Sequence, residues 1–407
     1  MRILFFSDNF PPETNAAATR VYERAVYWVK WGHEVTVITC APNFPHGELF
    51  DGYNNSWHQV EFLDGIKIVR VKTYIAANQG VLRRSLDFVS YLLTGTIAGL
   101  FQPRPDIITA TSPQFFAAVA GWLVAELKNR PFVFELGDLW PSSISAVGAM
   151  KKGVLLYVLE KFELFLYRRS SSVAALTNSF KKNLVGRHIS ADKIHVVMNG
   201  VDLDRYEPKS RNEELVQELS LDGKFVVGYI GTHGMAHGLT NVLDTADLLK
   251  DKPDITFLFV GAGAERKNLI TESERRGQTN VIFVPAQPKD HMPDIWSLCD
   301  LALVHLKDSF VFADVIPSKM FEAMAMGLPI LLVSPKGEAS DLVQSHGAGE
   351  WVPAGNPRLF SDAVSSLSED KTKYKVLAKA SLDAASRHSR ENQAREMLEV
   401  FQWSLDR

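Results

Sequence analysis

The strongest constraint on the fold is a repeated alternation of a short apolar run, a helix-length segment and another apolar run. Runs at 2–7, 34–39, 66–71, 106–110, 132–135, 172–176 and 195–198 form one set. Runs at 225–230, 255–260, 281–284, 301–304 and 330–333 form a second. Strands joined through crossover helices pair in parallel, and a parallel sheet is covered by helices on both faces. Each set therefore predicts a doubly wound α/β sheet whose ligands bind beyond the carboxyl ends of its strands. A chain of 407 residues is long for one core and suits two such domains. The charged stretch 201–224, which contains Pro208, reads as the linker between them.

The segment 313–334, ADVIPSKMFEAMAMGLPILLVS, carries the densest chemistry. Pro317-Ser318-Lys319 stands where a helix should begin. The first amides of a helix lack intrahelical partners, and its dipole places positive charge there. With the Lys319 ammonium such a terminus suits a diphosphate. Glu322, about one turn on, can accept paired hydrogen bonds from two vicinal hydroxyls such as those of a ribose. Gly327-Leu328-Pro329 ends the helix, and a buried strand follows. An ordinary crossover helix with a proline start and a glycine stop satisfies the same pattern.

This block resembles the signature of retaining glycosyltransferase family 4, in which an acidic residue, seven others and a Glu precede "AMAxGxP". Asp314 stands here where most members carry Glu. Met198-Asn199-Gly200-Val201-Asp202 is similar to the "NGVD" at the family's interdomain hinge, and Gly32-His33-Glu34-Val35 to its "GHEV", with His33 read as a turn residue. The resemblance covers essentially the whole chain. It implies the B-type fold, with two Rossmann-like domains. The domains expected are 1–202 for the acceptor, a hinge at 203–224, 225–388 for the nucleotide-sugar, and 389–407 as a helix crossing back to the first domain, with 391–403 its candidate.

Asn15 is the cap of a helix over 16–31, and Arg20 in its first turns can reach a phosphate or stand as a solvated surface arginine. Gly231-Thr232-His233-Gly234-Met235-Ala236-His237-Gly238 follows the first strand of the second set, a glycine-bearing loop suited to backbone contact with phosphate. Most family members carry an Arg and a Lys in this loop. Thr232 and His237 stand near those places, which makes Lys319 the main fixed cation and His237 a candidate second. Gly261-Ala262-Gly263 lacks the third glycine of a dinucleotide fingerprint and reads as a close-packing turn near the nucleotide. Glu135-Leu136-Gly137-Asp138-Leu139-Trp140-Pro141 ends a first-domain strand, with Glu135 and Asp138 the candidates for acceptor hydroxyls; capping by Asp138 is the structural alternative. Asp202-Leu203-Asp204 mimics a metal-binding "DxD" but belongs to the hinge motif, and no His/Cys cluster has zinc spacing.

Composition narrows the setting. Hydrophobic content of 46% is that of a soluble globular protein. Cys40 and Cys299 sit in or beside apolar runs in different halves, as core residues in a reducing compartment rather than a disulfide. No signal peptide is expected, and Thr111-Ser112-Pro113-Gln114 breaks the uncharged run 107–125, so no transmembrane helix is expected. Residues 1–202 hold 21 Lys and Arg against 17 Asp and Glu, the rest 23 against 30, which points the first half at anionic partners. Leu82, Leu86, Val89, Leu93, Ile97 and Leu100 recur at helical spacing in 81–101, with Arg83 and Arg84 at one end; 154–169 is apolar and ends in Arg168-Arg169. These are two core helices or a rim resting on anionic lipid.

The resemblance implies an enzyme that moves a sugar with retention from a UDP-sugar to a lipid-linked saccharide in bacterial surface-polysaccharide assembly, O-antigen and lipopolysaccharide included, at the inner face of the cytoplasmic membrane and without nucleic acid. The "PSKMFEAMA" and "GMAHGL" subgroup points to an N-acetylated deoxyhexosamine such as N-acetylfucosamine. The implied donor contacts are Gly231, Thr232, His237, Gly261, Pro317, Ser318, Lys319 and Glu322, with Asp314 on the transferred sugar; Asp314, Lys319, Glu135 and Asp138 are the catalytic candidates, and Asn15 and Arg20 the acceptor or phosphate contacts. No metal or cofactor is expected, because amides, helix dipole and Lys319 stabilise the leaving diphosphate. The alternatives are a UDP-N-acetylglucosamine 2-epimerase or a phosphorylase of the same fold, a nicotinamide-dependent oxidoreductase, and a non-catalytic sugar-nucleotide sensor.

Overall fold

A computed structural model of the protein describes residues 1–44, 47–75, 81–112, 114–139 and 153–407, without the side chains of 81–84 and 155. Pro113, Trp140, Pro141 and the side chains of Leu82, Arg83 and Arg84 thus lie outside the described residues. The chain forms two compact units, Met1–Asn199 with Arg390–Arg407, and Gly200–Ser389. Both sheets and their flanking helices are the two Rossmann-like α/β folds that the alternation predicts.

The first unit holds β1 (Arg2–Phe6), β2 (Glu34–Cys40), β3 (His58–Leu63), β4 (Ile66–Val71), β5 (Ile107–Thr111), β6 (Phe132–Leu136), β7 (Ser172–Ala175) and β8 (Ile194–Val196). They lie in the order β3-β4-β2-β1-β5-β6-β7-β8. All pairs are parallel except β3 with β4. The sequence reading misses β3, an edge strand of alternating half-exposed residues. Its signal was present: Asp64-Gly65, both at positive φ, is the two-residue hairpin turn that joins it to β4.

The second unit holds β9 (Phe225–Ile230), β10 (Ile255–Val260), β11 (Val281–Val284), β12 (Leu301–His305), β13 (Ile330–Ser334) and β14 (Gly349–Pro353), in the order β11-β10-β9-β12-β13-β14. The edge strand β14 is also absent from the sequence reading. The stretch 203–224, expected as a linker, belongs to this unit instead. Tyr206 and Leu221 are buried, and Arg211 pairs with Asp300, which also accepts the Val226 amide at 2.7 Å. In each sheet the strand order reverses once, at β1/β5 and at β9/β12. Those switch points are where ligands enter such sheets.

The terminal helix, Arg390–Leu405, closes one face of the first sheet. Trp28, fully buried, stacks on Phe5 at 6.3 Å and meets the Phe401 ring at 5.3 Å and a 59° tilt, and its Nε1 donates to the Ala394 carbonyl at 2.9 Å. Arg390 pairs with buried Glu23 at 2.8 Å and donates to Asn199 Oδ1 at 2.7 Å. On the other face, the helix Val81–Phe101 packs through Tyr91, Ala98 and Gly99. A Cβ on Gly99 would lie 2.6 Å from Phe6 Cζ. The apolar stripe seen in the sequence faces outward: Leu86, Leu93 and Ile97 are 50%, 60% and 56% exposed.

The run 107–125 divides into β5 and the helix Phe115–Lys128, and no helix among the described residues is long and apolar enough to cross a membrane. Cys40 and Cys299 are buried free thiols.

Removing the Phe401 ring should leave a cavity against Trp28 and cost the first unit about 3–5 kcal/mol. Phe401→Ala is expected to lower the first unit's urea midpoint; an unchanged midpoint by tryptophan fluorescence would contradict this packing.

Candidate active site

The centre of the second unit's switch point is a buried ammonium with no hydrogen-bonded partner among the described residues. Lys319 begins the helix Lys319–Ala325, and its side chain runs back under the loop after β9. Its Nζ lies 3.8 Å from the centroid of the Tyr229 ring and has no hydrogen-bond partner among the described residues. A Cβ on Gly231 would stand 2.9 Å from that Nζ. Burial lowers the ammonium from its ordinary value of 10.5 to about 7, against the opposing pull of Glu322. An aromatic face is worth about 2 kcal/mol to a desolvated cation, less than the cost of removing it from water.

Two backbones pinch beneath this cation. Gly261, at φ 150°, lies so close to the loop that a Cβ there would be 1.9 Å from the Gly231 carbonyl. The Tyr229 hydroxyl donates to the Thr232 carbonyl at 2.8 Å, which holds the aromatic ring below the loop and leaves Thr232 itself exposed. The loop after β12 is positioned by the same means. A Cβ on Gly337 would meet the Ala313 carbonyl at 2.0 Å, so the turn Phe310–Asp314 is pressed onto the N-terminus of the helix Glu338–His346. Asp314 is thereby set on a fixed turn, half-buried.

Pro317 and Ser318 accept the amides of Met320 and Phe321 at 3.1 Å each. These are the first amides inside the helix, and those of Ser318 and Lys319 precede them. Glu322, half-buried, accepts from the indole of buried Trp296 at 3.3 Å.

Three histidines surround the loop, and the expectation of a second cation at His237 is not met. Burial first, and then the Lys319 charge, lower His237 to about 3 and His233 to about 4. Burial likewise holds His305 at about 4. All three imidazoles are neutral at pH 7. His305 Nδ1 donates to the His237 carbonyl at 2.6 Å, with Asn241 Nδ2 on its Nε2 at 2.9 Å. His237 Nδ1 faces the His305 carbonyl at 3.3 Å, which assigns the proton to Nδ1 and makes Nε2 an acceptor.

The first unit places Arg20 and Glu135 together, but not as solvent-facing contacts. Glu135, 1% exposed, receives Arg20 Nε at 2.7 Å and Arg24 at 2.6 Å. Burial would raise its pKa, yet the two guanidiniums hold the carboxyl below its ordinary value. Glu135 is therefore a counter-ion, which corrects its assignment as a hydroxyl contact. Arg20 also donates to Thr111 Oγ1 at 3.0 Å. Two arginines share one carboxylate, so the group carries an excess positive charge beside Gly137. Asp138 is half-buried in the turn after β6, its amide 3.3 Å from Ser112 Oγ. Asn15 caps its helix by accepting from Ala18 N at 3.0 Å, and its Nδ2 is buried without a partner. Asp202 accepts the Asp204 amide at 3.1 Å, an Asx turn. Tyr229, His305 and Trp296 lie in or beside apolar runs and read as core, and Asn241 belongs to no motif. Arg24 had a signal, four residues after Arg20 on one helix face.

Residues 17–205 match the Glycosyltransferase Family 4 family, and residues 210–383 match Glycosyl transferases group 1. The chain is 26% identical over 335 residues to a colanic acid biosynthesis glycosyl transferase, WcaI, of Escherichia coli (strain K12), covering 80% of this chain and 82% of that protein. It is 24% identical to a GDP-mannose-dependent alpha-mannosyltransferase of Mycobacterium tuberculosis, covering 94% of this chain and 92% of the other. HepE of Anabaena, solved in complex with UDP, superposes with a TM-score of 0.71 over 99% of this chain and 100% of its own, at 19% identity. Sucrose-phosphate synthase of Thermosynechococcus elongatus gives 0.79 at 15% identity, over 98% of each chain. These two likenesses establish the fold.

The buried lysine makes a pH prediction. Lys319 titrates at about 7 in the folded chain and near 10.5 unfolded, so the unfolded state binds more protons between those values. Its contribution to stability then rises with pH across that window, by at most about 1.4 kcal/mol per pH unit. Lys319→Met is expected to flatten the second unit's stability profile between pH 7 and 10. Parallel profiles for wild type and variant would show that the ammonium is solvated.

Proposed function

We propose that this chain, a group 1/family 4 glycosyltransferase of the two-domain B-type fold, transfers a sugar from a UDP-sugar to a saccharide acceptor with retention at the anomeric carbon. The observation that carries the reading is the Lys319 ammonium under the Gly231 loop, which has no hydrogen-bond partner among the described residues and which a bound anion would hold protonated. A donor's diphosphate supplies that anion. The amides of Ser318 and Lys319 bind it beside Pro317, Glu322 takes the ribose hydroxyls, and Gly261 lets the two loops close on it. Asp314 and the Nε2 acceptor of His237 meet hydroxyls of the transferred sugar. As the sugar–phosphate bond breaks, charge grows on the departing oxygen, and Lys319 and the helix dipole stabilise it without a metal. The departing oxygen then takes the acceptor's proton.

Relatives in polysaccharide biosynthesis, WcaI and the teichuronic acid glycosyltransferase TuaH of Bacillus subtilis among them, support a bacterial surface polysaccharide as the product. On this reading the acceptor is lipid-linked, with Asn15 and Asp138 on the acceptor side and buried Arg20 acting through Glu135 rather than by contact. The sugar is an N-acetylated deoxyhexosamine. The nearly full-length likeness to a GDP-mannose-dependent enzyme favours a second reading, a GDP-sugar donor.

The outward stripe Leu86, Leu93 and Ile97, with Phe101 exposed at 83%, has no place in the first unit's core. Exposed Val154, Tyr157 and Val158 add to it, and Lys161, Arg168 and Arg169 supply positive charge. We take this face to rest on anionic lipid. Wild type should sediment with phosphatidylglycerol vesicles at low salt, and Leu93→Glu with Ile97→Glu should not. Equal sedimentation of both would remove the membrane from the reading.

A donor panel of UDP- and GDP-sugars read by mass spectrometry tests the central claim. Nucleoside diphosphate should appear only with acceptor, and activity should survive EDTA; release without acceptor, or loss of activity restored by magnesium, would overturn it. Charge-assisted bonds are worth about 1.5–3 kcal/mol each, so Glu322→Ala should weaken UDP at least about tenfold. Asp314→Ala should slow turnover and leave UDP affinity nearly unchanged.

A further inference from the structure

Two histidines far apart in sequence meet beside the point where the chain leaves the second unit. His346 is the last residue of the helix Glu338–His346, and His388 ends the short turn Ser386–His388. Their Nε2 atoms stand 3.0 Å apart, with ring centroids 5.3 Å apart and tilted by 40°. Both residues are half-buried, and both backbones are fixed. Gly347, at φ 62°, ends the helix, and its amide donates to the Gln344 carbonyl at 3.1 Å. The Val201 amide donates to the His388 carbonyl at 2.9 Å, and a Cβ on Gly200 would lie 2.7 Å from the same oxygen. The His388 ring also packs on Phe321 at 5.0 Å.

Two imidazole nitrogens held this close either share a proton in an N–H···N hydrogen bond or converge on one metal ion. With zinc–nitrogen distances of about 2.0–2.1 Å, two imidazoles on a tetrahedral ion place their nitrogens roughly 3.3 Å apart. The pair reaches that spacing by a small tilt of the rings, with neither backbone moved. Imidazole suits zinc, copper and nickel, whereas magnesium and calcium take oxygen ligands. Among the described residues no group of three or more His, Cys, Asp or Glu could hold a metal, so water completes the shell and the ion exchanges. Exposed Arg387 repels positive charge at both rings, which weakens the site without blocking it. We propose that His346 and His388 form an exchangeable site for a late first-row transition cation. A bound ion fastens the end of the helix Glu338–His346 to the segment by which the chain leaves the second unit. Neither histidine is a donor contact, so the site stands apart from the sugar-transfer reading.

Calorimetry with zinc chloride on the full chain, stripped of metal beforehand, reads the site directly. Wild type should bind zinc in the micromolar range, copper more tightly, and magnesium not at all. His346→Gln and His388→Gln each remove one of the two ligands and should weaken zinc about tenfold or more. Zinc should also raise the unfolding temperature of wild type and not that of either histidine variant. Arg387→Gln removes the opposing charge and should tighten zinc about threefold. No zinc binding by wild type, or affinity unchanged in either histidine variant, overturns the site and leaves the pair as a hydrogen bond. If both histidine variants fail to fold, Arg387→Gln decides: tighter zinc supports the site, and unchanged or weaker zinc overturns it.

Discussion

A lysine ammonium held out of water against an aromatic ring organises the second unit. The Tyr229 face does not offset the loss of hydration, and the imidazoles around it are driven neutral rather than drawn into pairing. On the proposed reading the pocket is preorganised for an anion, and the cost of desolvating the ammonium is carried by the folded chain until that anion binds. The close backbone contact of Gly231 with Gly261 makes this arrangement possible, since any side chain at Gly261 would push the two loops apart.

The first unit solves the opposite problem. Glu135 sits between two guanidiniums, Arg390 is answered by Glu23, and Arg70 is shared among the Glu61 carboxylate, two carbonyls and an aromatic ring. Buried pairs of this kind contribute little net stability, but losing one partner strands a charge. Their consequence here is geometric. They hold the turns at the carboxyl ends of β1, β2 and β6 in place, and those turns border Gly137 and Asp138.

The helix Val81–Phe101 shows how a periodic pattern misleads when read alone. Its leucine stripe has the spacing of a core face, yet small residues and one tyrosine make the actual contact with the sheet. Gly99 allows the helix to approach Phe6 more closely than any leucine would. The larger apolar side chains are then turned outward, giving a surface that an ordinary monomer would not expose.

The sequence by itself determined the two sheets of mostly parallel strands, the Asn15 cap and the start of the helix at Lys319, because each depends on local periodicity or on one residue's backbone preference; the return of the last helix was implied by the family resemblance. It also placed Lys319, Glu322 and Asp314 within one short segment. Tertiary structure alone decided that Lys319 has no hydrogen-bonded partner among the described residues, that His237 is neutral, and that Glu135 is consumed by Arg20 and Arg24. These outcomes depend on desolvation and on contacts between residues more than a hundred positions apart, as with Arg20 and Glu135. Residues 203–224 illustrate the same limit. Their charge and Pro208 suggest a free linker, while the burial of Tyr206 and Leu221 that anchors them is visible only when the second sheet is present.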